Sequence, residues 1–217
     1  KIMNQPEIVS LFPENVAIFR TNVRDILEEM KQEEWVKIKT EDQVGTASSL
    51  TKDLYILDRY PDIKEMIMDH FNLYKNEYLR YTGNEFAITT SWGTKTTLGA
   101  QSTFHDHKNC MFSGVFYVTD TPKEGDPASL IFKKKNDISF WCLPDRQNQF
   151  NSDTWFFVPP YQSLIFFPSH LQHKIGLQRV DRDRIAIAFN IIPVGIIGND
   201  DSHVQLSVQR VEIDDVN

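Results

Sequence analysis

The chain has 217 residues, 41% hydrophobic and 24% charged, a balance that can bury a core and excludes a wholly disordered polymer. A formal net charge of -7 excludes a general nucleic-acid binder, which offers phosphates a basic stripe, and the run Lys133-Lys134-Lys135 is too local to reverse that. Two cysteines, Cys110 and Cys142, are too few for a disulfide scaffold; with no apolar run near the roughly 18 to 20 residues that span a bilayer and no charged-then-apolar N-terminal pattern, a cytoplasmic protein off the membrane is expected.

In chain order, the apolar runs Ile8 to Phe12 and Val16 to Arg20, split by Pro13-Glu14-Asn15, predict two opening strands. Val23, Ile26, Leu27 and Met30 recur at helical spacing opposite Asp25, Glu28, Glu29 and Lys31, which predicts an amphipathic helix over about 23–35. Residues 39–53 are polar and read as a loop. After Pro61, the residues Ile63, Ile67, Phe71, Tyr74 and Tyr78 form one apolar face of a second helix, which runs to about Leu79 and stops at Thr82-Gly83-Asn84. His70 within it reads as a packing or surface residue.

From Phe86 onward the pattern changes to strands: Phe86 to Trp92, Thr97 to His105, Met111 to Thr119, Ser129 to Lys133, Ile138 to Cys142, Trp155 to Val158, Ser163 to Phe167, Ile175 to Leu177 and Arg184 to Ile192. Turn signals such as Glu124-Gly125-Asp126-Pro127 separate them, and residues 143–153 read as a mobile loop. Many short strands without βαβ alternation predict a mainly β fold, a jelly roll with about two helices packed outside. Val204, Leu206, Val208, Val211 and Ile213 suggest a last strand that completes a sheet or pairs with a second subunit, as in a homo-dimer. The acidic end, Glu212 to Asp215, reads as solvated.

His105 and His107 are two residues apart, so in an extended chain their imidazoles share a face and Asp106 takes the other. A first-row metal in an enzyme site needs at least three protein ligands, so a distant segment must contribute. The apolar run Leu164 to Phe167 ends at Pro168-Ser169 and is followed by His170 and His173; further on, Arg184 stands at the mouth of Ile185 to Phe189. Three readings of the middle residue are open. His107 is a third imidazole ligand, which the same-face spacing favours; or it stands behind the ligands while water completes the site; or Asp106 turns inward. An all-imidazole set would leave a charge of about +2 on a divalent metal, where two histidines and a carboxylate leave +1, and it also suits zinc or copper.

The combination of His105-x-His107, Ser113-Gly114-Val115-Phe116-Tyr117, Phe167-Pro168-Ser169, the following His173 and Arg184-Ile185-Ala186-Ile187 resembles the iron(II)- and 2-oxoglutarate-dependent oxygenases. The likeness is to prolyl-hydroxylase-like enzymes, and most closely to a branch of that family without an assigned substrate; it covers about Phe86 to Pro193. His107 departs from the commoner His-x-Asp or His-x-Glu pattern. The resemblance implies a double-stranded β-helix forming one domain over 1–217, with N-terminal strands and helices in 1–85, the metal-binding barrel in 86–193 and a C-terminal extension in 194–217. It implies Fe(II) on His105 and His173, with His107 as the third ligand on the same-face reading, and with His173 preferred to His170, whose position relatives often fill with an aromatic. Arg184 and Tyr117 are implied to grip the distal carboxylate of 2-oxoglutarate, with Arg182 as the competitor for the guanidinium role and ascorbate as an accessory reductant. The implied activity is hydroxylation of a small-molecule or peptide substrate, such as free or peptidyl proline. Trp92 resembles a tryptophan of the same branch, and Asn190 is placed to hydrogen-bond within the site. The rivals are a cupin-like metal-binding jelly roll without oxygenase activity and a structural module with inert histidines.

Overall fold

The computed structural model describes residues 8–37, 46–119, 128–135 and 142–211. Its elements run β1 (Ala17–Arg20), α1 (Leu27–Lys31), β2 (Trp35–Lys37), β3 (Thr46–Ala47), β4 (Ser49–Thr51), α2 (Pro61–Tyr74), β5 (Glu85–Thr96), β6 (Ala100–Gln101), β7 (Phe112–Tyr117), β8 (Leu130–Lys133), β9 (Thr154–Phe157), β10 (Ser163–Pro168), β11 (His173–Ile175), β12 (Arg184–Ile197) and β13 (Val204–Leu206). The large sheet has the order β1-β10-β7-β12-β5-β4-β2, with β13 paired to the far end of β12; β11-β8-β9 form a smaller sheet. This is a mainly β jelly roll with two helices.

Alternation along the central strands sorts side chains into two cores. Phe112 and Phe116 of β7, Leu164 and Phe166 of β10, and Ile185, Ile187, Phe189 and Ile191 of β12 meet Ile63, Ile67, Phe71 and Tyr74 of α2. The intervening Tyr117, Ile165, Phe167 and Ala186 face the other way and pack on Leu130 and Phe132 of the small sheet. That second face is the inside of the barrel. Gly114 lies on the helix-facing side, where a Cβ would run into the Phe189 ring and the Ile165 carbonyl oxygen, so β7 and β12 can pair here only because no side chain intervenes.

Pro61 occupies the first turn of α2, and the helix continues through a wider turn at Lys75–Leu79 before Arg80, at φ 60°, ends it. The first helix is shorter than the 23–35 expected. Asp25 Oδ1 accepts the Leu27 N–H at 2.9 Å, and beyond Lys31 the residues Trp35 and Val36 pair with Thr51 and Leu50, because sheet pairing outcompetes helical periodicity there. The same pairing turns Ser49–Thr51, expected in a loop, into a strand, and Thr46–Ala47 pairs with β6. Ile8 to Phe12 form no strand and stay exposed. The expected strand Thr97 to His105 is interrupted by Gly99 at φ 80° and keeps only β6 and a single bridge at His105. The predicted Ile138–Cys142 strand, apart from Cys142, the Glu124–Pro127 turn and the Glu212–Asp215 end lie outside the described residues. Among the described residues no helix is long and apolar enough to cross a membrane.

Candidate metal centre

His105 and His173 exchange both backbone hydrogen bonds, His105 N–H to His173 O at 3.0 Å and His173 N–H to His105 O at 2.9 Å. The two chain segments are thereby fixed side by side at the edge of the small sheet. His107 N–H donates to the Ser169 carbonyl at 3.0 Å, which tethers the third histidine to the turn after β10. Ring centroids are 4.5 Å apart for His105 and His173, 5.1 Å for His107 and His173, and 5.3 Å for His105 and His107. One ring nitrogen from each lies within 4.8 Å of the other two, a grouping able to hold one metal ion.

The tautomers follow from the partners. His105 Nδ1 is 2.9 Å from the Thr103 carbonyl and His173 Nδ1 is 2.9 Å from the Leu171 carbonyl. A carbonyl only accepts, so each Nδ1 carries the proton and each Nε2 keeps its lone pair for a metal. Backbone carbonyls behind histidines in this way fix ring orientation at metal centres. Burial, then the neighbouring His105, pushes the His107 imidazolium down to about 4. The same two causes push His173 down to about 3, against an opposing pull from the Leu171 carbonyl. Both rings are neutral at physiological pH, the form that ligates. His173 is 5% exposed and its ring packs against Phe167 at 4.7 Å; Trp92 lies 5.6 Å from His107.

Asp106 turns away from the three rings and pairs with Lys108 at 2.8 Å, an ion pair that, with Lys108 donating, holds its carboxyl below the usual range. His170 is exposed and sits 2.9 Å from Glu14. His70 contacts the Met66 carbonyl at 2.8 Å and the Phe19 ring, a packing role.

Arg184 is 8% exposed, while Arg182 is exposed. Arg184 Nη2 donates to the Tyr117 hydroxyl at 2.8 Å, and its guanidinium carbon lies 4.6 Å from the centre of the Tyr117 ring. Burial pushes the Tyr117 hydroxyl pKa up, and Arg184 opposes that. Arg184 Nη1 is buried without a hydrogen-bond partner among the described residues. A buried donor left unmatched is costly, and a guanidinium fork suits a carboxylate. One cavity of about 320 Å³ connects the two groups; among the described residues it is lined by His105, His107, His173 and Arg184 together with Trp92, Thr94 and other small polar and apolar side chains, and by no carboxylate. The arrangement can bind a metal on three imidazole nitrogens and an anion on Arg184.

Two motif residues without a role read from the sequence, Ser113 and Ser169, are buried and joined hydroxyl to hydroxyl at 2.9 Å. Period-two alternation does place Ser113 on the face of Val115 and Tyr117, but nothing in the sequence links it to Ser169.

Residues 90–190 match a family model described as "Putative 2OG-Fe(II) oxygenase". The sequence finds no match among curated proteins. Among solved structures, the chain is similar to the non-heme alpha ketoglutarate dependent epimerase SnoN from nogalamycin biosynthesis, at 11% identity and TM-score 0.59, over 84% of this chain and 80% of that one. It is similar to a Pseudomonas putida prolyl-4-hydroxylase at 14% identity and TM-score 0.51, over 82% and 92%. It is also similar to HygX from Streptomyces hygroscopicus, solved with nickel and 2-oxoglutarate bound, at 9% identity and TM-score 0.53, over 83% of each chain. At these identities the likeness is one of fold.

Proposed function

We propose that this chain is a 2OG-Fe(II) oxygenase, a reading supported by the family-model match over residues 90–190 and by the shared fold, and that His105, His107 and His173 hold Fe(II) while Arg184 and Tyr117 receive the distal carboxylate of 2-oxoglutarate. The donor chemistry fits: three imidazoles, two with lone pairs fixed at Nε2 by backbone carbonyls, supply nitrogen ligands suited to iron. When bound, the iron and 2-oxoglutarate supply the activation of dioxygen and the oxidation of a C–H bond. The protein supplies position and dryness. Arg184 meets the carboxylate with the Nη1 that is otherwise unmatched, Tyr117 fixes the guanidinium from one side, and Val115, Leu130 and Phe167 wall the cavity with apolar surface.

The single observation that carries this reading is the buried, unmatched Nη1 of Arg184 in the same cavity as the three histidines. A metal-binding jelly roll without oxygenase activity has no use for it. The substrate class we propose is a free or peptidyl amino acid, proline included, or a similarly small molecule, which is hydroxylated. The fold shared with the prolyl-4-hydroxylase supports that choice. The test is anaerobic titration of Fe(II) and then 2-oxoglutarate, followed by visible absorption, with succinate release measured on admitting oxygen. One iron and one 2-oxoglutarate per chain are expected; full iron binding by His105→Ala would refute the site.

A further inference from the structure

We propose that a chain of four buried or half-buried side chains, Thr90, Asn190, Ser113 and Ser169, is a positioning device for His107, and that it sets the metal affinity of the site through that histidine alone. The inference rests on the metal reading above. Ser169 is the residue on which the His107 turn closes. Its carbonyl accepts the His107 N–H at 3.0 Å, and its own N–H donates to the Met111 carbonyl at 3.1 Å. Both ends of the turn from His107 to Met111, with Asn109 in the left-handed region at φ 57°, are therefore fastened to one residue. If Ser169 moves, His107 moves with it.

The side chains fasten Ser169 in turn. Asn190 pairs across β12 with Thr90 of β5 on one side and with Ser113 of β7 on the other, so the three side chains stand in a row on the barrel's inner face. Ser113 Oγ donates to Asn190 Oδ1 at 2.9 Å. A serine hydroxyl has one proton, so towards Ser169, at 2.9 Å, Ser113 can only accept. Asn190 Nδ2 donates to Thr90 Oγ1 at 3.3 Å. The chain thus has a single direction, Ser169 to Ser113 to Asn190, and Asn190 is anchored on Thr90. Ser113 and Ser169 are each 1% exposed, which makes any broken link an unmatched buried group.

A backbone irregularity sits at the same point. The β12–β5 register slips between Asn190 and Ile191, whose partners are Thr90 and Ile88, so Thr89 is the extra residue, and its hydroxyl donates to the Asn190 carbonyl at 3.4 Å. Bulges re-aim side chains, and here the bulge falls where the Asn190 amide meets both neighbours. His105 and His173 do not need this chain. Their backbones hold each other and their rings are oriented by Thr103 and Leu171. His107 has no ring partner of that kind among its hydrogen bonds with described residues, and its position relies on Ser169.

The experiment is titration of the metal-free protein with cobalt(II), read by visible absorption and calorimetry, in a double-mutant cycle. Ser113→Ala is expected to weaken cobalt about tenfold, as loss of a partner behind a metal ligand commonly does. Ser113→Thr, which keeps the hydroxyl, should recover most of it. In a His107→Ala background Ser113→Ala should change the remaining affinity less than twofold, whereas in a His105→Ala background it should still cost about tenfold. Asn190→Ala is run in parallel in case Ser113→Ala folds poorly, and the same pattern is expected. Cobalt affinity within twofold of wild type in both variants, or an equal loss with and without His107, overturns the positioning role. Undiminished cobalt binding by His105→Ala would instead defeat the metal reading itself.

Discussion

Replacing Arg184 by Ala should leave metal binding intact and cripple the cosubstrate. The guanidinium is 8% exposed, holds Tyr117 at 2.8 Å and has one unmatched buried nitrogen, so its carboxylate contact would form away from water. Breaking such a charge-assisted pair costs about 2–5 kcal/mol, or roughly 30- to 4,000-fold in Kd. The effect is visible without turnover. At a 2-oxoglutarate concentration 100 times the wild-type Kd, binding adds about 2.7 kcal/mol to stability, which for a domain of this size raises Tm by roughly 5–11 °C. Even at the low end, a 30-fold loss leaves about 0.9 kcal/mol and a rise of roughly 2–3 °C at that concentration. Scanning calorimetry of zinc-loaded wild type, Arg184→Ala, Arg184→Lys and Arg182→Ala, with and without 2-oxoglutarate, makes the comparison. Lysine should recover part of the shift, since it keeps the charge but lacks the two-pronged geometry. Exposed Arg182 should behave as wild type. Equal thermal shifts in wild type and Arg184→Ala would refute the assignment, and a shift lost only in Arg182→Ala would move it by two residues.

His105→Ala and His173→Ala should each bind iron too weakly to retain it through gel filtration, checked by metal analysis of the eluted protein; His170→Ala, which loses only an exposed contact with Glu14, should keep one iron per chain. The metal-free protein should lose stability as pH falls from about 6.5 towards 4: His107 and His173 titrate below their ordinary value when folded, so over this window the unfolded chain binds more protons. The contribution is at most about 1.4 kcal/mol per pH unit for each ring, less for the partly exposed His107, and urea melts across that range should flatten in a His107→Ala, His173→Ala double variant. Phe71→Ala should cost about 3–5 kcal/mol in urea denaturation with no change in metal stoichiometry, because the fully buried ring meets Phe86, Phe112 and Phe166 edge-on at 5.3–5.4 Å on the helix side of the large sheet. A loss below 1 kcal/mol would show that the helix is not packed as described.

The β character and the second helix were readable because they rest on local periodicity: α2 buries the face Ile63, Ile67, Phe71, Tyr74 that its spacing announces. The first helix was overestimated because its last residues carry a second message. Trp35 and Val36 suit a strand, and only the distant Thr51 and Leu50 decide in its favour. Within the site, the shared face of His105 and His107 is a property of spacing, but the bridge from His105 to His173 spans 68 residues and no local pattern encodes it. The outward turn of Asp106 depends on Lys108, two residues away, and nothing in an extended chain selects that partner. The Ser113–Ser169 contact is illegible for the same reason, since it joins β7 to the turn after β10, and the adjacency of β7 and β10 belongs to the topology.

The charge inventory of the cavity leads to a last prediction. Among the described residues its lining carries Arg184 and three histidines, two of them held neutral by burial, and no carboxylate, since Asp106 pairs with Lys108 outside. A divalent ion on neutral ligands keeps its full charge of +2 and shares a confined space with a guanidinium, and like charges in a poorly solvated space disfavour one another. A dianionic cosubstrate relieves both ends at once. Metal and 2-oxoglutarate should therefore bind with positive coupling, each tightening the other by the same factor. A coupling of about 1–3 kcal/mol corresponds to roughly 5- to 150-fold. Cobalt titrations with and without saturating 2-oxoglutarate measure it from one side, and 2-oxoglutarate titrations of zinc-loaded and metal-free protein from the other. His107→Asp, which brings a carboxylate to the ligand position, should reduce the coupling while retaining metal. Identical cobalt affinities with and without 2-oxoglutarate, or undiminished coupling in His107→Asp, would mean that the cavity charge is balanced in some other way.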